Sequence, residues 1–211
     1  MRIGVDIDGV LADSLPLWTK ELNSYFGKNK KVEDLHLYDI CQTYGITQRQ
    51  LDEFIRLKGR YLMTAPPPVK GSTQFLPKIK EKHEIFIITA RNKKYEGETV
   101  SWLKKCGIPF DELILLGSHD KREACVCNGV GVMIEDTLEV SVKVTAGGVP
   151  VLLLDAPYNR GALPEKVLRV RSWEEIYRAI SAGTLAAEKE GGIPPALDKR
   201  ILPAGRAVVQ F

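Results

Sequence analysis

Short apolar runs punctuate the chain at residues 3–5, 85–88, 113–116, 130–134 and 149–154, the last broken near its start by Pro150. Each is too short for a helix and reads as a continuous run, not an alternation, the pattern of strands buried on both faces of a sheet. Between them lie segments with helical spacing. Phe75, Leu76 and Ile79 mark residues 73–82, Val100, Trp102 and Leu103 mark 97–105, and Val140, Val142 and Val144 mark 137–146. Strands alternating with helices of this size predict an α/β fold, a parallel sheet with helices on both faces and right-handed crossovers. Residues 14–71 break that rhythm. They hold no buried-strand pattern but two helical ones, at 15–26 and 48–62, separated by the charged stretch GKNKKVEDLHLYD. They close with TAPPPVKGST, whose prolines cannot continue a helix. The segment reads as a helical insertion directly after the first strand, leaving 1–13 and 72–180 as the α/β unit. A last helix is expected at 173–182, and residues 181–211, rich in Gly and Pro, are expected to form an extended or partly disordered tail.

Composition narrows the function classes. The 211 residues suffice for one domain with a sizeable insertion. Lys+Arg 30 against Asp+Glu 27 leaves a formal charge of +3, too small to argue for a nucleic-acid polymer as partner. No apolar stretch approaches the roughly 20 residues of a membrane span, and Met1 leads almost directly into the first strand, so the expected location is cytoplasmic, without a cleaved leader. Of the four cysteines, Cys125 and Cys127 are one residue apart, which matches neither a zinc knuckle nor a CxxC redox spacing; reduced thiols are expected.

In an open parallel sheet, ligands bind outside the carboxyl ends of the strands, so the residues just after each apolar run carry the chemistry. Asp6 and Asp8 come after the first run, Thr89, Ala90 and Arg91 after the second, and Glu135 and Asp136 after the fourth; Lys121, in GSHDKREAC, stands where a helix should begin. Carboxylates gathered at one edge repel one another and call for a cation. Mg²⁺, a hard ion bound by oxygen, suits them, and His36, His83 and His119 are too scattered to compete; they read as surface or packing residues. A magnesium site flanked by a hydroxyl and a lysine suits a phosphoryl group. Asp6 can attack phosphorus as a nucleophile, and Asp8, two residues along an extended chain, lies on the same side and can act as acid and base. Gly9 lets the backbone turn away sharply. Taken singly each residue has a bland reading: carboxylates cap helices or complement their dipoles, Thr89 can cap, Arg91 and Lys121 can be solvated, and Asp13 suits an N-cap or turn. It is their arrival after successive strands that points to a site.

DIDGVLADS, IITAR, Lys121 and MIEDT together resemble the four motifs of the haloacid dehalogenase superfamily of phosphohydrolases, in the same order. The opening motif and the position of the insertion are most similar to the 5'(3')-deoxyribonucleotidase branch. The resemblance implies a Rossmann-like three-layer core with residues 14–71 as a small helical cap. It implies Asp6 as nucleophile and Asp8 as general acid/base. Thr89, Ala90, Arg91 and Lys121 would meet substrate, and Asp6, Asp8, Glu135 and Asp136 would hold Mg²⁺, Asp8 through its backbone carbonyl. Glu135 replaces a commoner aspartate, which leaves open whether it or Asp136 touches the metal directly. The expected activity is Mg²⁺-dependent phosphomonoester hydrolysis through an aspartyl-phosphate, with a (deoxy)nucleoside monophosphate as substrate. A phosphatase for another small metabolite, such as a sugar phosphate, and a catalytically silent binding protein are the alternatives. Trp18, Tyr25, Phe26, Tyr38, Tyr44 and Tyr61 are candidate cap aromatics, more of them expected in the cap's own core than against a base. No membrane partner is expected, and a homodimer stays open.

Overall fold

The computed structural model describes residues 1–34 and 39–183. Its centre is a sheet of six strands, β1 (Arg2–Val5), β2 (Glu84–Thr89), β3 (Glu112–Leu115), β4 (Val130–Glu135), β5 (Val151–Leu154) and β6 (Val167–Val170), in the order β3-β2-β1-β4-β5-β6. All five pairings are parallel. The first five strands coincide with the apolar runs. The sixth, VLRV, does not announce itself, because only Val170 in this edge strand is buried.

Alternate residues of the central strands serve two different cores. Ile3, Val5, Ile85, Ile87, Val132, Ile134, Leu152 and Leu154 pack on one face with α4 (Ser72–Lys80), α5 (Glu96–Lys105) and α8 (Trp173–Ser181), through Leu76, Trp102, Trp173 and Ile176. Phe86, Ile88, Met133 and Val151 pack on the other with α6 (Arg122–Cys127) and α7 (Leu138–Ala146), through Cys125, Val140 and Val144. Burial on both faces is why these strands read as unbroken apolar runs. The result is the expected three-layer α/β fold.

The chain travels from β1 outward to β2 and β3, then returns to β4 on the other side of β1. This reversal opens a crevice at the carboxyl ends of β1 and β4, where ligands bind in such sheets. Register sets which residues meet there. Val5 pairs with Ile87 and with Ile134, and the Asp6 amide donates to the Ile134 carbonyl at 3.1 Å. Asp6, Thr89 and Glu135 therefore leave the sheet at neighbouring levels.

Between β1 and α4 stand α1 (Leu15–Phe26), α2 (Ile40–Tyr44) and α3 (Gln48–Thr64). Pro16 stands in the first turn of α1 and Gly27 closes it in a left-handed conformation, while Thr47 and Gln50 cap α3 reciprocally. Leu15, Trp18, Leu22, Tyr44, Phe54 and Leu62 form their own apolar cluster. Of the candidate aromatics, Trp18, Phe26 and Tyr44 belong to it, Tyr25 and Tyr61 are exposed, and Tyr38 lies outside the described residues. The two connectors run side by side: the Asp13 amide donates to the Pro67 carbonyl at 2.9 Å and the Val69 amide to the Leu11 carbonyl at 2.7 Å. The indoles of Trp102 and Trp173 donate to the carbonyls of Pro66 and Val10, fixing each connector to the core. Of the tail expected at 181–211, Ser181 instead ends α8, and residues from 184 onward lie outside the described residues, as does His36.

Candidate active site

Lys121 is the hub of the crevice. It stands just before α6, only 1% exposed, with its Nζ 2.6 Å from Asp6 Oδ1 and 2.8 Å from Glu135 Oε2. Burial alone would weaken its charge, but the two carboxylates outweigh it and raise the Lys121 pKa above the ordinary lysine value. Glu135, at the end of β4, accepts the Thr137 amide on its other oxygen at 3.2 Å. Asp136 is turned by different partners. Tyr158 donates its hydroxyl to Asp136 Oδ2, and Asn159 Nδ2 donates to the Asp136 carbonyl at 2.7 Å.

One oxygen from each of Asp6, Glu135 and Asp136 lies within 4.8 Å of the others, and all three residues are buried. Burial, with the charges of Glu135 and Asp8 added and that of Lys121 opposed, pushes the Asp6 carboxyl up to about 7. Asp136 rises well above the carboxylate range through burial first, then Glu135 and Asp6. Three carboxylates share one lysine, an excess of negative charge that a divalent, oxygen-loving cation would relieve. The donor set fits Mg²⁺, with both Glu135 and Asp136 in reach of one ion. Gly9 completes the cradle. At φ +86 it approaches Asp136 so closely that a Cβ would fall 1.9 Å from Oδ2.

Asp8 belongs to a second cluster beside the first. Arg91 grips it in a fork, Nε to Oδ2 at 2.8 Å and Nη2 to Oδ1 at 2.9 Å, and Ser14 Oγ donates to Oδ1 at 2.5 Å. Burial would raise the Asp8 pKa, but Arg91 and Ser14 prevail and hold it below the ordinary value. Thr89, at the tip of β2, is buried and accepts the Arg91 amide on its hydroxyl at 3.2 Å, which leaves its hydroxyl hydrogen for another acceptor. Ala90 comes next, half-buried. The crevice thus joins Asp6, Lys121, Glu135 and Asp136 directly, with Asp8 and Thr89 alongside. Arg91, expected to face substrate, has its guanidinium committed to Asp8, to the Met63 carbonyl and to Thr99.

Ser14, Tyr158 and Asn159 carry no role in the sequence reading. Tyr158 was within reach of the same rule, since it lies just after the fifth apolar run at the same edge of the sheet. His119 reads from sequence as a surface or packing residue; in the fold it is half-buried, its pKa lowered by burial and by neighbouring Lys121. A cleft of about 810 Å³ opens beside Gly9 and Tyr158, with Asp13, Lys70, Phe75 and Arg171 among its walls. All four cysteines are free, and no helix among the described residues is long and apolar enough to cross a membrane.

Comparison with known proteins places the chain in a family. Residues 1–187 match the model of the family described as 5' nucleotidase, deoxy (pyrimidine), cytosolic type C protein. A nucleotidase of Clostridium acetobutylicum is 29% identical over 178 residues, 84% of this chain and 92% of that protein. A 5'(3')-deoxyribonucleotidase of Bacillus subtilis is 26% identical over 185 residues, covering 84% and 97%. Among solved structures, a haloacid dehalogenase-like hydrolase of Streptococcus pneumoniae superposes with a TM-score of 0.65 at 14% identity, covering 85% of this chain and 97% of that one. The hydrolase YfnB of Bacillus subtilis, solved bound to magnesium, superposes with a TM-score of 0.58 at 12% identity, covering 85% and 97%. The chain therefore belongs to the cytosolic type C family of 5' nucleotidases, shares the fold of the haloacid dehalogenase-like hydrolases, and is a phosphoric monoester hydrolase.

Proposed function

We propose that this hydrolase cleaves nucleoside monophosphates through a phosphoryl-aspartate at Asp6, with Mg²⁺ held by Asp6, Glu135, Asp136 and the backbone carbonyl of Asp8. The observation that carries the reading is the Lys121 ammonium seated between Asp6 and Glu135 at 2.6 and 2.8 Å. A lysine so placed orients the nucleophile and meets the negative charge of an incoming phosphoryl group. When bound, Mg²⁺ supplies further positive charge to that group and keeps Asp6 ionised. The negative charge of the arriving phosphoryl group opposes the pull of Arg91 and Ser14, so that Asp8 takes up a proton from solvent as substrate binds. Asp6 then attacks phosphorus, the ester P–O bond breaks and the departing oxygen takes that proton from Asp8. In the second half a water, giving its proton to Asp8, attacks phosphorus and releases Asp6. Thr89 donates its hydroxyl hydrogen to a phosphate oxygen, with the Ala90 amide beside it. Residues 14–71 act as a cap that shelters the reacting groups from water.

The substrate class rests on the relatives, whose names are those of nucleotidases and a deoxyribonucleotidase. It is tested by hydrolysis of a panel of ribo- and deoxyribonucleoside monophosphates and sugar phosphates, with and without Mg²⁺. The expected result is a higher kcat/KM on one or more nucleotides, dependent on Mg²⁺ and abolished in Asp6→Asn. Preference for a sugar phosphate over every nucleotide would overturn the substrate assignment. Turnover unchanged in Asp6→Asn would overturn the mechanism.

A further inference from the structure

Arg91 stands where a substrate contact would be expected, at the end of β2, yet its side chain is 2% exposed and turned inward. Its guanidinium meets four partners: the Asp8 carboxylate, the Met63 carbonyl at 3.1 Å, Thr99 Oγ1 at 3.4 Å and the face of Trp102, 5.8 Å from the ring centroid. Met63 lies in the last turn of α3, where carbonyls lack partners within the helix and carry the negative end of its dipole. One side chain therefore ties the helical insert to the Asp8 loop, across 28 positions on one side and 83 on the other.

The fork also restricts Asp8. An ionised carboxylate offers about four acceptor positions. Arg91 Nε fills one on Oδ2, and Arg91 Nη2 and Ser14 Oγ fill both on Oδ1. One position on Oδ2 remains. Two parallel hydrogen bonds also stop the carboxyl from rotating, a constraint that a single point charge does not impose.

We propose that Arg91 is a positioning residue that couples the helical insert to Asp8, holding the carboxyl so that Oδ2 alone exchanges the catalytic proton. The inference rests on the phosphatase reading, in which Asp8 protonates the departing oxygen as the ester bond breaks. Its signature is selective: an ester whose leaving group departs without a proton does not need a well-placed acid.

The test compares kcat/KM for phenyl phosphate and 2,4-dinitrophenyl phosphate, with Mg²⁺ present, in wild type, Arg91→Lys and Ser14→Ala. This constant covers steps only up to departure of the alcohol, so hydrolysis of the phosphoryl-enzyme, common to both esters, does not enter. General acids contribute about 10²–10⁴-fold, so losing the fork should lower the ratio of phenyl to dinitrophenyl turnover at least about 10-fold in Arg91→Lys. Ser14→Ala, which removes one hydrogen bond and no charge, should lower it in the same direction by less, and it carries the test if Arg91→Lys melts early. Equal losses on both esters, or a rise in KM with kcat intact, would overturn the proposal and make Arg91 a structural or substrate-binding residue. Failure of the wild type on both esters would instead remove the phosphatase reading on which the proposal stands.

Discussion

Replacing Gly9 by alanine places one methyl group where the fold has no room for it. The new Cβ would sit 1.9 Å from Asp136 Oδ2, 2.6 Å from its Cγ and 3.0 Å from the Tyr158 hydroxyl. Side-chain carbons essentially never approach closer than 3.0 Å, so the carboxylate has to retreat by about 1.1 Å from its 1.9 Å position. It cannot do so freely, because Tyr158 holds its Oδ2 and Asn159 its backbone carbonyl. Alanine at φ +86 also costs about 1–2 kcal/mol of backbone strain. Gly27→Ala is the control: at φ +61 it carries comparable strain but meets nothing within 4 Å. Gly9→Ala should lose more stability than Gly27→Ala in a denaturant melt, by about 1–3 kcal/mol, because the clash adds to the shared backbone strain. Only Gly9→Ala should lose Mg²⁺ affinity, by about 10–100-fold in a calorimetric titration, since displacing a metal ligand or its supports has that effect. Turnover of p-nitrophenyl phosphate should fall by about 10²-fold, the scale of a 1 Å misplacement. A Gly9→Ala protein that binds Mg²⁺ and turns over like Gly27→Ala would show that Gly9 does not shape the metal cradle.

The raised carboxyl of Asp6 makes stability depend on pH. Folded, the group keeps its proton up to about 7 without metal, whereas the unfolded chain releases it near 3.9, so its contribution is present at low pH and lost as pH rises through about 7. Asp136 shifts in the same direction, while the depressed Asp8 contributes a constant amount over this range and weakens only at lower pH. The metal-free Tm should therefore fall between pH 5 and pH 8, less steeply in Asp6→Asn, and Mg²⁺ should raise Tm more at pH 8 than at pH 5; an equal Mg²⁺ effect at both would contradict this. Lys121→Met leaves Asp6 and Glu135 buried without their cation and should cost about 3–5 kcal/mol in a denaturant melt, partly restored by Mg²⁺. A loss under about 1 kcal/mol would show that the pair is dispensable. Gly59→Ala drives a Cβ to 2.1 Å from the Tyr95 hydroxyl, where α3 packs on the core, and should cost about 1–3 kcal/mol; an unchanged melting midpoint would rule out that packing.

Much of the site is legible in the chain itself. Asp6, Asp8, Thr89, Lys121, Glu135 and Asp136 stand at the ends of strands or the start of a helix, and a parallel sheet delivers all such ends to one edge. The grouping of Asp6, Lys121, Glu135 and Asp136 comes from that rule together with the strand register. Tyr158 was reachable by the same rule applied to the fifth run. Arg91 was not, since an arginine after a strand looks identical in sequence whether it faces a phosphate or an aspartate 83 positions away.

The features that the sequence specifies unaided are local: five of the six strands, the helical spacing between them, the break in rhythm at 14–71 and the chemistry at each strand end. These are legible because burial on both faces demands a continuous apolar run, and a helix on a sheet demands its own period. The pairings were settled in three dimensions. Edge strand β6, with one buried residue, had no demand strong enough to mark it. The division of the acidic residues into a cluster around Lys121 and a separate Asp8–Arg91 fork depends on register, crossovers and the placement of α3. Those arise from packing among distant segments, which no single stretch of the chain encodes.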